Sequence, residues 1–470
     1  MVFSSLVFLY AFLPACLLCY MAAGSMRARN LVLLGFSLFF YAWGEPVYVL
    51  LMIATGLFIY YIGLQIERYR NTKRAQFFLT VGVVAALSSL AIFKYLGFFV
   101  ENVNALTGLQ LPVPALTLPI GISFYTFQIL TYAIDLYRGN TKVQRSPANF
   151  LLYVSLFPQL IAGPIVRYED VAEQIDHRTL TWSGFSYGLS RFMIGLGKKV
   201  LIANYAGQLV ANTLETGLSS ISVLEAWIGI LAFSLQIYFD FSGYSDMAIG
   251  LGHIFGFKFK ENFDYPYIST SITEFWRRWH ISLSSFFRDY VYIPLGGNRH
   301  HQIRNMLIVW ALTGLWHGAS WNFVIWGLYF FCLLFIEKKF LLQALKKGPA
   351  VFGHIYTLFA VLLGWVFFYF TDAGSIFHML RLMFGFSGQS AVNIQGLLLL
   401  RENILFFAIA CFAATPFAAQ WSRKLIERYR RFEKHTALTT AVVCMNVLLL
   451  FLCTAALVGS TYNPFLYFRF

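Results

Sequence analysis

Two histidines carry the residue type and setting that proton transfer needs. His280 lies in ITEFWRRWHISLSSFFRDY (272–290) and His317, 37 positions on, in ALTGLWHGASWNF (311–323). An imidazole titrates near neutrality, so it can take the proton of a hydroxyl whose own pKa is far higher, an effect worth roughly 10²- to 10⁴-fold in rate. His317 ends one apolar stretch (306–316) and another starts near 320, with Gly314 and Gly318 leaving room for a chain or ligand to come close. A third group, Gln236, Tyr238, Asp240, Ser242, Tyr244 and Asp246, puts two carboxylates and several hydroxyls at the end of an apolar run. Such groups are costly in lipid unless paired or wet. They form either a helix end at the interface or the polar lining of a cavity reaching into the membrane. Asp240, Ser242 and Tyr244, with Trp276, Trp316 and Asn322 around the histidines, are therefore the candidate substrate-binding residues. The plainer alternatives are a packed, hydrogen-bonded His280 and a His317 held at a helix end by an aromatic belt with Trp316 and Trp321.

Other chemistries lack their residues. Gly195 and Gly197 precede Lys198, but Lys199 stands where a phosphate-binding loop needs Ser or Thr, and Phe192 where it needs Gly. There is no H-E-x-x-H, and His300–His301 has no carboxylates close by, so neither a metal nor a bound cofactor is expected. All six cysteines fall in apolar segments; Cys16 and Cys19 spell C-x-x-C, but redox chemistry needs solvent access and a stabilised thiolate.

The elements that must position these residues are membrane helices. Of 470 residues 59% are apolar, 12% charged and 19% aromatic, with 50 Phe and a mean hydropathy of +0.64, which excludes a soluble enzyme and a disordered scaffold. The apolar runs predict segments near 2–23, 30–43, 46–65, 77–97, 119–137, 149–164, 184–206, 223–249, 306–318, 320–337, 351–370, 402–419 and 438–460, about 11 to 13 passes in one all-α domain spanning 1–470. No Lys or Arg precedes Arg27, so the first run is expected to remain as a membrane helix rather than a cleaved signal. The net charge of +14 is read as the positive-inside bias rather than as affinity for nucleic acid. Alternating sides from an external N-terminus collects Arg27 and Arg29, 68–74, 138–145, Lys198 and Lys199, 254–305, 338–347 and 423–434 on the cytoplasmic side, with 98–118 and 371–400 outside. Residues 272–290 carry too much charge to span; Trp276, Trp279, Leu283, Phe286 and Tyr290 fall on one helical face and Glu274, Arg278, Ser282, Ser285 and Asp289 on another, predicting an amphipathic helix on the membrane surface or packed into the protein.

The opening MVFSSLVFLY, EFWRRWHISLSSFFRDYVYIPLGGNR, GLWHGASWNF and the closing NPFLYFRF together resemble the membrane-bound O-acyltransferase superfamily, and within it the bacterial alginate O-acetyltransferase membrane subunits and their peptidoglycan-acetylating relatives. The resemblance spans essentially the whole chain. It implies helices, amphipathic and re-entrant ones included, around a central tunnel, with His317 at the family's central histidine and His280 at its first, His-or-Asn, position. It also implies an acyl group, acetyl above all, taken from a cytoplasmic thioester, acetyl-CoA or an acylated carrier, as co-substrate. That group would be delivered across a bacterial cytoplasmic (inner) membrane to an extracytoplasmic hydroxyl of an exopolysaccharide or cell-wall polymer. An extracytoplasmic esterase-like acetyltransferase would be the partner, with membrane lipid around the chain and a cytoplasmic acyl carrier as a further candidate. His317 is then the general base, and His280 orients or protonates the donor end; an acyl-histidine intermediate stays open. D-alanyl transfer to teichoic acid through a carrier protein is the alternative within the enzymes. A transporter would usually show repeated halves or ionisable groups spread over several spans, and a non-catalytic export scaffold would tolerate loss of His317.

Overall fold

The computed structural model describes residues 1–161, 163–431, 435–459 and 466 of the chain. All regular elements among these residues are helical, as an apolar chain in lipid requires, since each helix satisfies its own backbone polar groups. Six of the helices are long and apolar enough to cross a membrane: Tyr48–Arg68, Lys73–Thr107, Val223–Ile254, Ala350–Tyr369, Ile394–Ala413 and Thr436–Gly459; Phe8–Ala22 is a shorter apolar helix. Most predicted segments coincide with helices. Segment 149–164 is instead broken at Leu156 into Pro147–Ser155 and Phe157–Leu160, because Pro158 has no N–H to continue the ladder. Segment 402–419 begins earlier, at Ile394, and stops at Ala413, ahead of Pro416. The closing NPFLYFRF lies outside the described residues except for Leu466.

The chain forms two compact units, Met1–Phe192 with Tyr244–Lys260, and Met193–Gly243 with Glu261–Phe470. In the first, Tyr48–Arg68 packs against Lys73–Thr107 and Ile122–Arg138. Its buried cation Arg178 is met by polar atoms: Nε donates to Tyr20 Oη (2.9 Å) and to the Phe255 carbonyl (3.1 Å), and Nη1 to Asn30 Oδ1 (2.6 Å). Asp246 is paired there with Arg191 at 2.6 Å, so this carboxylate of the 236–246 group is neutralised rather than wet.

The second unit contains both histidines and a core dominated by aromatic rings, among them Phe233, Tyr238, Phe275, Trp279, Trp326, Phe330, Trp365 and Phe368. Helices Gln302–His317 and Trp321–Ile336 pack against each other along their length. Glycine makes this approach possible: a Cβ on Gly314 would run into the Phe323 carbonyl, and one on Gly327 into that of Trp310. The amphipathic stretch is two helices rather than one. Ile272–Arg278 ends at Trp279 (φ −99°, ψ 127°), His280 takes the left-handed conformation (φ 45°, ψ 55°), and Ile281–Phe287 follows. Left-handed backbone is unfavourable for a non-glycine residue, and hydrogen bonds to Asn262, described below, hold it. The expected burial survives the break, since Trp279, Leu283 and Phe286 are all buried.

Candidate active site

His317 is the last residue of Gln302–His317; the backbone turns extended at Gly318 (φ −173°, ψ 158°), and the chain re-enters a helix at Trp321. The glycine-sealed hairpin thus delivers the imidazole at a helix break, as its position between two apolar runs suggests. Its ring lies 4.9 Å from that of Trp316, 5.0 Å from Trp326 and 5.0 Å from Phe368, the last two edge to face. The side chain remains partly exposed, and the exposure faces two cavities. One, about 40 Å³, is lined by Asp240, Phe241, Trp316, Trp326, Phe368 and Leu466 among others. The second, about 250 Å³, is lined by Trp276, Arg277, His280, Ser284, Arg288 and Thr313 among others. His317 and Trp279 line both.

His280 belongs to the second cavity and is 1% exposed. Phe241 (4.7 Å, edge to face), Phe263 (6.4 Å) and Trp316 (5.8 Å) surround it. Its Nδ1 is 3.2 Å from Asn262 Oδ1. Burial pushes this imidazole down to about 3, since a charged ring loses its hydration there. A neutral ring at pH 7 suits the orienting role and not the protonating one. The preceding helix Ile272–Arg278 is fixed at its start by the buried Glu337, whose carboxylate accepts from the Ile272 N–H (2.6 Å), the Thr273 N–H (2.9 Å) and the Thr273 hydroxyl (2.6 Å), satisfying donors that a helix start leaves open.

Asp240 lines the first cavity with its charge already matched. Lys199 Nζ lies 2.6 Å from Oδ1, with the two side chains 5% and 3% exposed, and the Leu466 N–H donates to Oδ2 at 2.8 Å. Lys199 therefore does not sit in a cytoplasmic turn as the charge alternation assumes. It lies within a helical run from Trp182 to Leu214, in the wider π turn Lys198–Ala203, and carries its charge inward to a carboxylate.

The other predicted residues divide. Trp316 lines the first cavity and Trp276 the second. Asn322 is buried, its Nδ2 donating to the Phe367 carbonyl at 3.2 Å, and Ser242 is buried; neither lines either cavity. Tyr244 belongs to the first unit, stacked on Phe3 at 4.6 Å. Sequence reasoning did not single out Lys199, Asn262, Trp326, Phe368 or Glu337 for the site. Lys199, beside Lys198, gives no sequence signal for the ion pair, and neither do Asn262 and Glu337, since the partners of all three are distant in sequence. Among the described residues no cluster of His, Cys, Asp and Glu is arranged to hold a metal.

A family model for membrane-bound O-acyltransferases matches residues 115–380, which include both histidines and both glycine-sealed helices. A probable alginate O-acetylase of Azotobacter vinelandii is 41% identical over 505 residues, covering 100% of both chains. The peptidoglycan O-acetyltransferase of Helicobacter pylori is 35% identical over 433 residues, 84% of this chain and 82% of its own. The teichoic acid D-alanyltransferase of Bacillus subtilis is 31% identical over 242 residues, 47% of this chain and 60% of its own. A histidine at a helix break where two cavities meet, in an all-helical apolar chain matched along its length by acyl-transferring proteins, identifies this protein as a member of the membrane-bound O-acyltransferase family.

Proposed function

We propose that this enzyme moves an acetyl group from a cytoplasmic thioester, through the site at His317, to a hydroxyl on an extracytoplasmic exopolysaccharide or cell-wall polymer. The observation that carries the reading is the position of His317, among the described residues the one ionisable group lining both cavities. The second cavity is built from the basic 254–305 stretch, with Arg277 and Arg288 on its wall; it is the donor side. The first, closed by Asp240, Phe368 and Leu466, is the acceptor side. His317 takes the hydroxyl proton, the oxygen bonds to the acyl carbon, the C–S bond breaks, and the proton passes from the imidazolium to the departing sulfur, giving ester and free thiol. The Trp326 indole N–H is buried without a hydrogen-bond partner in the described structure; an acyl carbonyl oxygen in the first cavity would satisfy it as charge develops.

The same reading puts the chain in a bacterial cytoplasmic membrane with its N-terminus outside, and assigns uptake of the acetyl group to an extracytoplasmic esterase-like partner. The acetyl reading is preferred over D-alanyl transfer because the acetyl-transferring relatives align over four-fifths or more of both chains and the D-alanyltransferase over about half of this one. Mass spectrometry of envelope polymers from a deletion strain is expected to show loss of acetyl esters with other substituents retained; loss of D-alanyl esters instead would overturn the choice. In a background without native thiols, Ser390→Cys is expected to react with an impermeant thiol reagent added to intact cells and Lys73→Cys to stay unlabelled. The reverse pattern inverts the orientation.

A further inference from the structure

Asn262 and His280 form a hydrogen-bond arrangement that dictates which nitrogen of the ring carries the proton. The Ser282 backbone N–H donates to Asn262 Oδ1 at 3.1 Å. A backbone amide can only donate, so the amide atom it meets is the oxygen and not the nitrogen, and the side-chain orientation of Asn262 is fixed. The Ser282 hydroxyl donates to the same oxygen at 2.8 Å, and the Ile281 N–H donates to the Asn262 carbonyl at 2.9 Å. His280 Nδ1 faces that oxygen at 3.2 Å. Two lone-pair atoms cannot bond each other, and the Ser282 hydroxyl, 3.4 Å from Nδ1, gives its hydrogen to the closer Asn262 oxygen at 2.8 Å, so Nδ1 carries the hydrogen. In a neutral ring Nε2 is then the bare nitrogen, an acceptor only. Nε2 is fully buried, has no hydrogen-bond partner in the described structure, and belongs to a side chain lining the second cavity.

We propose that Asn262 is a positioning residue that locks His280 as the Nδ1–H tautomer, so that Nε2 accepts a hydrogen bond from an amide N–H of the thioester donor's pantetheine arm. This rests on the donor-side reading of the second cavity. A buried acceptor selects a ligand that brings a donor, because leaving it unmet costs more than the net gain of an ordinary hydrogen bond. An acyl thioester offers no hydrogen of its own at the carbonyl or the sulfur, while a pantetheine arm carries amide N–H groups a few bonds from the sulfur. The ring's packing partners Phe241, Phe263 and Trp316 do not titrate. Arg277, Arg288, Tyr292 and His317 are the titratable and charged groups lining the same cavity, and the two arginines add to the preference for a neutral ring.

The tautomer is tested without catalysis. Protein labelled with ¹⁵N in its histidine rings, in lipid bilayers at neutral pH, is expected to give one Nδ1–H, bare-Nε2 pair of solid-state NMR signals that His280→Asn removes. Asn262→Asp, whose carboxylate favours the imidazolium, is expected to move that pair's titration to higher pH. Finding the His280-dependent signals in the Nε2–H form, or unmoved by Asn262→Asp, overturns the proposal. Kinetics test the ligand. With acetyl-coenzyme A as probe, the hydroxyl-bearing acceptor polymer supplied at saturation and thiol release as readout, Asn262→Ala is expected to raise KM about five- to tenfold, the size of one lost hydrogen bond, with kcat nearly kept; Asn262→Asp is expected to give a KM that rises as pH falls. A kcat loss with KM unchanged contradicts the assignment of Nε2 to donor binding. Absence of thiol release by the wild-type protein, with the NMR tautomer as expected, counts against the donor reading and leaves the Asn262 lock standing.

Discussion

Replacing His317 by Ala is expected to bring polymer-bound acetyl ester below a tenth of the wild-type level while the protein still inserts and folds. The ring contributes edge-to-face contacts with Trp326 and Phe368, but those two rings also pack on each other at 5.4 Å and on neighbours in the same core. Truncation therefore removes one member of a large aromatic cluster and leaves the helix pair, sealed by Gly314 and Gly327, intact. The reaction, by contrast, loses the group that accepts the hydroxyl proton, a deficit of roughly 10²- to 10⁴-fold. Ester content in a complemented deletion strain, read beside the thermal unfolding of the purified variant, separates the two effects. Near-normal ester with normal unfolding would return His317 to a packing role.

A second large effect is expected at the buried ion pair. Lys199 and Asp240 are almost wholly removed from solvent at 2.6 Å, so removing either partner leaves the other charge unmatched, a cost of about 3–5 kcal/mol. Lys199→Met and Asp240→Leu are each expected to unfold at clearly lower temperature in detergent and to accumulate poorly. The double variant is expected to recover most of that stability, because two apolar side chains of similar volume carry no desolvation penalty. It is not expected to recover full activity: Asp240 also accepts the Leu466 N–H and lines the first cavity, so that wall loses its anchor. Additive destabilisation in the double variant would show that the pair is not the origin of the effect.

The helical architecture was legible because lipid allows so few solutions: apolar runs predict where most helices lie, but the bounds differ by up to about ten residues where polar residues extend a helix, as at Thr107, Leu214 and Ile394, and one run is broken ahead of Pro158. The two histidines were legible from their cost, an imidazole at the edge of an apolar run being unusual enough to call for a use. The break at His280 was not, because the spacing of Trp276, Trp279, Leu283 and Phe286 fits an unbroken helix and the left-handed turn depends on Asn262, which lies outside the periodic stretch. In the sequence Asp240 stands as a polar lining residue and its counter-ion Lys199 as a topology signal, since a lysine's sequence neighbours do not reveal that a π turn carries it inward. Tyr244 shares its sequence neighbourhood and helix face with Asp240 but lies about one turn further along the same helix, where it stacks on Phe3 in the first unit.

Central to this account is one imidazole serving a donor on one side of the membrane and a hydroxyl on the other. Inside-out membrane vesicles test it directly, with acetyl-labelled coenzyme A supplied to the exposed cytoplasmic face and the polymer recovered from the lumen. Vesicles with the wild-type protein are expected to accumulate labelled ester in the lumen, and those with His317→Ala less than a tenth as much. Equal lumenal label from both, or label confined to the donor face with the wild-type protein, would contradict it.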